Sequence, residues 1–295
     1  MAWVQILIDT TADKADEIGD LLFDKGCLSV TYTSASASDH PLFELTPGDV
    51  EYWCDTTVVG LFDAVEDTNQ LVATLRDQPI FAMGLHCRFE QVEDKDWERE
   101  WMDNFHPMQF GERLWVCPSW CDIPDPNACN VILDPGLAFG TGTHETTALC
   151  LEWLEAMDLA GKTVLDFGCG SGILAIAALK LGAHRAIGID IDPKAIIASR
   201  ENAERNGLSD AAEWYLPQDA PECKADVVVA NVLAEPLKAL KHSICAYAEK
   251  HGAVALSGIL DTQVKSIESD YGELLKLDIS VRRGQWVRVS GVSLA

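Results

Sequence analysis

The stretch Thr163-Val164-Leu165-Asp166-Phe167-Gly168-Cys169-Gly170-Ser171-Gly172 decides the fold of this 295-residue chain. An apolar run that contains an aspartate leads into alternating glycines, which is typical of a buried strand that turns sharply into a helix. Glycines in such a turn let the backbone approach a ligand, because no Cβ atoms stand in the way. The next predicted strand ends at Asp190, 22 residues after Gly168. A carboxylate at that place can accept hydrogen bonds from ribose hydroxyls, so the pattern predicts an adenosine-binding site.

Two classes of cofactor present an adenosine ribose in this way, dinucleotides and S-adenosylmethionine. A dinucleotide fingerprint reads GxGxxG and holds a pyrophosphate at the helix N-terminus. Here the glycines are spaced GxGxG, and Asp166 precedes them inside the strand, where it would repel a pyrophosphate. A carboxylate beside a glycine turn suits a ligand that carries the ammonium and the carboxylate of an amino acid. The spacing therefore favours S-adenosylmethionine.

Strand and helix patterns alternate along residues 134–295, which we assign to one domain. The predicted helices span 146–157, 172–181, 193–206, 233–250 and 262–271. The predicted strands span 163–167, 185–190, 213–216, 226–231, 253–257, 275–281 and 285–289. Regular alternation indicates a doubly wound α/β fold with a mainly parallel, seven-stranded sheet.

Residues 1–92 form a smaller predicted domain. Strands near 3–8 and 28–33 flank one helix, and strands at 56–61 and 85–92 flank another at 67–78. This order predicts an α+β domain of the ferredoxin-like type, with two helices on one face of an antiparallel sheet. RNA-recognition domains share that architecture, but these residues include 16 acidic and only 4 basic side chains. No strand combines basic and aromatic residues either, so we interpret the domain as a protein-binding module.

A linker is predicted over residues 93–133. Trp97 and Trp101 are one helical turn apart in a charged segment. This spacing is typical of a helix whose two tryptophans pack against a neighbouring domain while its other faces are charged. Prolines follow at positions 107, 118, 124, 126 and 135. Because proline interrupts regular structure, this part of the chain is expected to be irregular.

The net charge of −25 bears on partners and location. Phosphate backbones are bound mainly through Lys and Arg, so a nucleic-acid substrate is disfavoured. Acidity alone leaves two interpretations open, a surface that keeps an enzyme soluble or attraction to a basic partner. No apolar run approaches the ~18 residues of a membrane span. The N-terminus lacks a basic leader and a long apolar core, so a cytoplasmic protein is expected.

The ten cysteines are expected to be reduced thiols, because no export signal precedes them. Cys117, Cys121 and Cys129 offer one loose CxxxC spacing, with no histidine nearby to complete a set of four ligands. This differs from the paired spacing of zinc sites, so no metal is predicted.

The chain resembles the class I methyltransferases through residues 166–172, Asp190 and Asn231. A second stretch makes the resemblance more specific. Asp134-Pro135-Gly136-Leu137-Ala138-Phe139-Gly140-Thr141-Gly142-Thr143-His144-Glu145-Thr146-Thr147 is similar to the signature of the PrmA family of ribosomal protein methyltransferases. Residues 229–234 (VANVLA) and 257–260 (SGIL) are also similar to that family. The resemblance covers essentially the whole chain, including the acidic first domain and the Trp97/Trp101 segment.

The resemblance implies a bilobal enzyme, in which the first lobe captures a protein of the large ribosomal subunit and the second binds S-adenosylmethionine. It implies cofactor contacts at Thr147, Gly168, Asp190 and Asn231, and the glycine turn adds Gly170 to this set. The groups that the family methylates are the α-amine and the lysine side chains of the substrate, up to trimethylation.

No catalytic base is assigned from the sequence. His144 is interpreted as a loop residue that makes hydrogen bonds, and Thr146 and Thr147 as caps at the start of a helix. Methylases of amide or adenine nitrogens usually carry Asn/Asp-Pro-Pro-aromatic at this strand end, whereas Asn231 is followed by Val-Leu-Ala. That departure favours an sp³ amine as the methyl acceptor, with Asn231 orienting the amine or the cofactor.

Two alternatives remain from the residues alone. One is a methyltransferase that acts on a small molecule or a nucleic acid through the same second domain. The other is a binding module without cofactor, whose glycine turn is purely structural. Methyl transfer to protein against RNA tests the first alternative, and titration with S-adenosylmethionine tests the second.

Overall fold

The computed structural model describes residues 3–35, 52–63, 68–82, 84–92, 105–134 and 144–294. The chain divides into two units, Met1–Met102 and Asp103–Ala295. Trp97 and Trp101 lie outside the described residues, as do residues 135–143 of the signature stretch. Within the described ranges, no helix is long and apolar enough to cross a membrane.

The described residues of the first unit form a four-stranded sheet and two α-helices. Its elements are β1 (Trp3–Thr11), α1 (Ala12–Asp24), β2 (Ser29–Ser34), β3 (Asp55–Asp63), α2 (Thr68–Arg76) and β4 (Cys87–Val92). The strands lie in the order β2-β3-β1-β4, and each neighbouring pair is antiparallel. Alternate residues of β1 and β3 pack on the helices, in a core that includes Ile6, Ile8, Ile18, Leu22, Val58, Phe62, Leu71 and Leu75. The predicted order and type of these elements are confirmed.

A three-stranded sheet opens the second unit. Its strands are β5 (Met108–Phe110), β6 (Leu114–Cys117) and β7 (Cys129–Ile132). β5 and β6 are antiparallel, whereas β6 and β7 are parallel. These strands lie inside the predicted linker, so the prediction of irregular structure is wrong where they run, whereas residues 118–128 between β6 and β7 form no helix or strand, as predicted. The prolines border the strands instead of interrupting them, since Pro107 precedes β5 and Pro118 follows β6, where a missing N–H breaks no ladder.

In the described part of the second unit, the main sheet has eight strands. They are β8 (Thr163–Phe167), β9 (Arg185–Ile189), β10 (Ala212–Tyr215), β11 (Ala225–Asn231), β12 (Ala248–Leu260), β13 (Leu275–Leu277), β14 (Val281–Arg283) and β15 (Trp286–Ser293). Seven lie in the order β10-β9-β8-β11-β12-β15-β13, and β14 also pairs with β15. The five neighbouring strands β10, β9, β8, β11 and β12 are parallel to one another. Strand β15 is antiparallel to its neighbours β12, β13 and β14.

The stretch 275–281, predicted as one strand, is divided between β13 and β14. Leu277 pairs with Gly291 and Val281 pairs with Arg288, so this chain segment takes four steps where β15 takes three. The additional residue interrupts the ladder. The sheet therefore has eight strands where the sequence predicts seven.

Helices pack on both faces of the main sheet. They are α3 (Glu145–Glu155), α4 (Ile173–Lys180), α5 (Pro193–Arg205), α6 (Ala234–Ala239), α7 (Lys241–Ala246) and α8 (Val264–Tyr271). Val227 and Val229 of β11 share one apolar cluster with α3, α4 and α5. Val228 and Ala230 share the other cluster with α6, α7 and α8. This arrangement has the layers of a doubly wound fold.

The prediction of a single helix over residues 233–250 is wrong. Helices α6 and α7 replace it, and β12 already begins at Ala248. Leu240, between the two helices, has φ −105° and ψ 11°. These angles leave the α-helical region, so the helical path breaks there.

Asn206 fastens the small sheet to the main domain. This buried side chain directly follows α5, and its Oδ1 accepts the amide of Ile132 at 2.8 Å. Its Nδ2 donates to the carbonyl oxygens of Ile132 and Asn202, both at 2.8 Å. The amide side chain thus pairs with both backbone groups of the last residue of β7, as a neighbouring strand would.

Asn206→Ala is expected to lower the free energy of unfolding by about 2–3 kcal/mol, because it leaves two backbone groups of Ile132 without their partner. Denaturant unfolding of the full chain measures the effect. Asn127→Ala is the matched control, since Asn127 is exposed in a turn, and it is expected to change stability by less than ~0.5 kcal/mol. Equal effects of the two substitutions would contradict the fastening role.

Candidate functional site

The candidate site lies at the carboxyl ends of β8, β9 and β11. From β8 the sheet extends to β9 and β10 on one side and to β11 and β12 on the other. The strand order reverses between β8 and β11, and open α/β sheets bind ligands at such a switch point. Gly168 follows β8, Asp190 follows β9, and Asn231 is the last residue of β11. The structure therefore brings these three predicted residues to one edge of the sheet.

The glycine turn after β8 is bonded to the end of β9. The amides of Gly168 and Cys169 both donate to the carbonyl oxygen of Ile189, at 2.8 and 3.1 Å. Gly168 has a φ of +77°, and a Cβ atom there would lie 2.4 Å from Cγ1 of Val232. Both the backbone angle and the close approach require glycine at this position.

Asp190 holds the same turn through its carboxylate. Its Oδ2 accepts the amide of Gly170 at 2.8 Å, and its Oδ1 accepts the amide of Asp192 at 2.9 Å. Each carboxylate oxygen has a second lone-pair direction, so two acceptor positions remain for a ligand. Asp190 is half-buried and faces the edge of the sheet with its orientation already fixed. Gly170 and Asp190, both predicted site residues, are thus in direct contact.

Asp166 is a buried carboxyl beneath this turn. Its side chain is 1% exposed, and its Oδ2 accepts the amide of Ala175 at 3.3 Å. Its Oδ1 is buried and has no hydrogen-bond partner in the part of the chain that the structure describes. Burial, with a smaller contribution from the charge of Asp190, raises the pKa of Asp166 to about 7. An oxygen without a partner at this place fits the ammonium of an amino-acid ligand, as the sequence predicts.

Thr147 and Asn231 meet although they lie 84 residues apart in the sequence. Nδ2 of Asn231 donates to Oγ1 of Thr147 at 3.3 Å. Thr147 is in the first turn of α3 and is 2% exposed, whereas Asn231 is half-buried. The contact joins the end of the signature stretch to the end of β11. The assignment of both residues to cofactor binding stays a prediction.

His144, not Thr146 or Thr147, is the N-cap of α3. Its Nδ1 accepts the amide of Thr146 at 3.3 Å and lies 2.8 Å from the hydroxyl of the same residue. The imidazole also packs edge-on against Trp286, with ring centroids 5.0 Å apart. The prediction that His144 is a hydrogen-bonding loop residue is confirmed. The prediction that the threonines cap the helix is wrong, because the imidazole takes that place.

Two exposed aliphatic side chains flank the site and were not singled out from sequence. Ile191 follows Asp190 and is 83% exposed, and Leu233 is 61% exposed two residues after Asn231. Apolar side chains left open beside polar strand ends offer surface for an apolar ligand group. The signal in the sequence is an aliphatic residue placed one or two positions after each strand-end polar residue.

None of the ten cysteines is in a disulfide. In the described ranges, no group of three or more His, Cys, Asp or Glu side chains is arranged to hold a metal ion. Cys169, inside the glycine turn, is buried, and its Sγ lies 3.6 Å from Oγ of Ser199. Burial raises the pKa of this thiol, which keeps it protonated and unreactive at neutral pH.

Comparison with known proteins finds similarity along the whole chain. The family described as ribosomal protein L11 methyltransferase (PrmA) matches residues 2–293. Proteins named ribosomal protein L11 methyltransferase from Salmonella newport and Salmonella typhimurium are each 59% identical over 292 residues, which is 99% of this chain and of each relative. A crystal structure of ribosomal protein L11 methylase from Lactobacillus delbrueckii subsp. bulgaricus is 36% identical, with a TM-score of 0.58, and covers 64% of this chain and 98% of that chain.

Gly168→Val is expected to abolish binding of S-adenosylmethionine, because a branched side chain there would occupy the space beside Val232 where the backbone must face the ligand. Isothermal titration calorimetry measures the binding. Gly207→Val is the matched control, since Gly207 also has a positive φ, +71°, but a Cβ atom there would have nothing within 4 Å. Retained binding by folded Gly168→Val protein would show that the turn is only structural.

The affinity for S-adenosylmethionine is expected to rise as the pH increases toward about 7, since an ammonium placed at Asp166 would bind the ionised form of this carboxyl, whose pKa is about 7. Titrations from about pH 5.5 to about pH 7 cover the lower part of this rise and keep most of the ligand's α-amino group protonated, since the reference pKa of such a group is ~7.7–8.0.

Asp166→Asn retains an acceptor for the amide of Ala175 but has no charge, so it should bind more weakly and with a flat pH profile. Asp158→Asn is the matched control, because Asp158 also accepts one backbone amide but is exposed. A wild-type affinity that does not change with pH would argue against an ammonium at Asp166.

Proposed function

The chain belongs to the ribosomal protein L11 methyltransferase (PrmA) family, and on that premise we propose that it transfers methyl groups from S-adenosylmethionine to the α-amine and the lysine side chains of ribosomal protein L11. The observation that carries the proposal is the convergence of the turn, Asp190, Asn231 and Thr147 at one edge of the sheet. Two hydrogen bonds, between Gly170 and Asp190 and between Thr147 and Asn231, join segments that are distant in the sequence.

Each part of the site suits a different group of the proposed cofactor. The free acceptor positions of Asp190 suit the ribose hydroxyls, and the Gly168 backbone suits close approach of the ligand. Asp166 suits the ammonium of the methionine moiety. The hydroxyl and amide groups of Thr147 and Asn231 are neutral and add polar contacts without a net charge. When bound, S-adenosylmethionine supplies a methyl group on a positively charged sulfur, which an amine can attack.

The acceptor amine has to lose its proton before it attacks. A lysine ammonium has a reference pKa of ~10.4, and removal from water into a cleft lowers that value. Water can then take the proton, so the mechanism needs no dedicated base and the catalytic role of any residue stays unassigned. Asn231, whose amide does not ionise in the neutral range, acts by orienting the amine or the cofactor at near-attack distance.

The first unit is proposed to be a ferredoxin-like module that recruits the substrate. Residues 1–92 carry 16 acidic and 4 basic side chains, a net charge of −12, whereas the longer stretch 134–295 carries −7. On α1, five carboxylates are exposed: Asp13, Asp16, Glu17, Asp20 and Asp24. Negative charge at this density attracts a lysine-rich protein and raises its rate of association. The same charge disfavours ribosomal RNA as the acceptor.

Removal of the first unit is expected to separate cofactor binding from methyl transfer. A chain shortened to residues 103–295 retains β5 and every residue assigned to the cofactor, so its affinity for S-adenosylmethionine should stay within about twofold of the full chain. Its rate of methyl transfer to ribosomal protein L11 should fall at least ~10-fold, because the steering charge is lost. Radiolabelled methyl transfer measures the rate, and calorimetry measures the affinity.

Acceptor identity is tested in the same assay. Ribosomal RNA serves as the alternative acceptor, and L11 with an acetylated α-amine or with lysines replaced by arginine locates the methyl groups by mass spectrometry. Higher salt should slow the full chain, since surface charges are screened beyond ~10 Å at 0.1 M. Full-rate methylation of L11 by the folded 103–295 chain would contradict the recruiting role, and transfer to RNA alone would contradict the proposed function.

A further inference from the structure

Strand β12 is irregular at the SGIL motif that the sequence analysis singled out. Leu256 pairs with Val289 of β15, and the next pair is Ile259 with Val287. Two residues of β12, Ser257 and Gly258, therefore oppose the single residue Arg288. Such a β-bulge turns a side chain away from the direction that a regular strand would give it.

Gly258 makes this bulge possible. Its φ is +87°, and a Cβ atom there would lie 2.3 Å from the carbonyl oxygen of Val232 and 2.7 Å from its carbonyl carbon. Because these neighbours are backbone atoms, no side chain can move aside to make room. The bulge thus presses against the chain one residue beyond Asn231.

Ser257 uses the bulge to hold α3. Its side chain is fully buried, and its Oγ donates to the carbonyl oxygen of Thr146 at 3.1 Å. The carbonyl of Thr146 and the nitrogen of Thr147 belong to the same planar peptide group. The hydrogen bond from Ser257 therefore fixes the orientation of the peptide to which Thr147 is attached. Asn231 is the register partner of Ser257 on β11 and donates to the Thr147 hydroxyl. Two adjacent residues of the sheet therefore hold two successive residues of α3.

Arg288, opposite the bulge, holds the same helix further along. It is 8% exposed, and its Nη1 donates to the carbonyl oxygen of Leu149 at 2.9 Å. Its guanidinium carbon lies 5.9 Å from the ring centroid of Trp153, on the next turn of α3. A buried cation with these contacts restricts movement of the helix along the sheet.

We propose that Ser257 and Arg288 are positioning residues, which hold α3 so that the Thr147 hydroxyl stays in place for the cofactor. This inference rests on the proposed function, because Thr147 matters to catalysis only if it contacts S-adenosylmethionine. Both side chains are buried, and neither is among the residues assigned to the cofactor. Their effect passes through the Thr146–Thr147 peptide and the first turns of α3.

The test compares Ser257→Ala with Ser290→Ala in the full chain. Ser290 is also a buried serine of the main sheet, but its hydroxyl faces Asp278 at 3.5 Å and not α3. Loss of one buried hydrogen bond should raise the Kd and the KM for S-adenosylmethionine about 3- to 10-fold in Ser257→Ala. The kcat at saturating cofactor and the KM for L11 should not change. Ser290→Ala should leave all of these values unchanged.

A double-mutant cycle with Thr147→Val tests whether the effect passes through Thr147. In that background Ser257→Ala should raise the Kd by less than ~2-fold, because the group it positions is already gone. If Ser257→Ala does not fold, Arg288→Lys, which retains the charge but not the forked geometry, carries the same cycle.

Each outcome points to one conclusion. A wild-type chain that does not bind S-adenosylmethionine overturns the proposed function itself. A wild-type chain that binds, with equal effects of Ser257→Ala and Ser290→Ala, overturns only the positioning role. Full additivity with Thr147→Val overturns it as well, since the two residues would then act independently.

Discussion

The junction between the glycine turn and the end of β9 is the contact on which the site depends. The carbonyl of Ile189 accepts two amides of the turn, and the carboxylate of Asp190 accepts a third from Gly170. These bonds fix the path of the turn before any ligand arrives, so the entropy of ordering it has already been lost in folding. The start of α4 and the position of Asp166 beneath the turn follow from that path.

Four of the five parallel strands were the most predictable part of the fold, whereas β12 (Ala248–Leu260) begins five residues before and ends three residues after its predicted span of 253–257. β8 was predicted to the residue, and β9, β10 and β11 were predicted within about one residue of their observed ends. Strands buried on both faces carry continuous apolar runs that end abruptly at glycine or a polar residue, so their limits are visible in one dimension. The same reasoning placed Gly168, Asp190 and Asn231 at one edge, since the carboxyl ends of parallel strands coincide.

Features that depend on distant partners were not predictable. The hydrogen bond between Asn231 and Thr147 joins residues 84 positions apart, and no local pattern shows that their side chains meet. The N-cap of α3 is the imidazole of His144, which accepts the amide of Thr146 and packs against Trp286 from the last strand, a contact that no local pattern shows. The segment from β5 to β7 was interpreted as a linker because of its prolines. The sequence alone does not show whether a proline lies inside a strand or beside it.

The double duty of Asp190 also constrains how such a site can evolve. One carboxylate holds the turn through Gly170 and, in the proposed function, would hold the ribose as well. A single substitution at this position would weaken the turn and, at the same time, remove the carboxylate that would bind the ligand. A lineage that acquires a different cofactor preference would first need another group to hold the turn, so intermediate sequences would need compensating changes elsewhere. Position 190 should therefore drift slowly, even where neighbouring surface residues diverge freely.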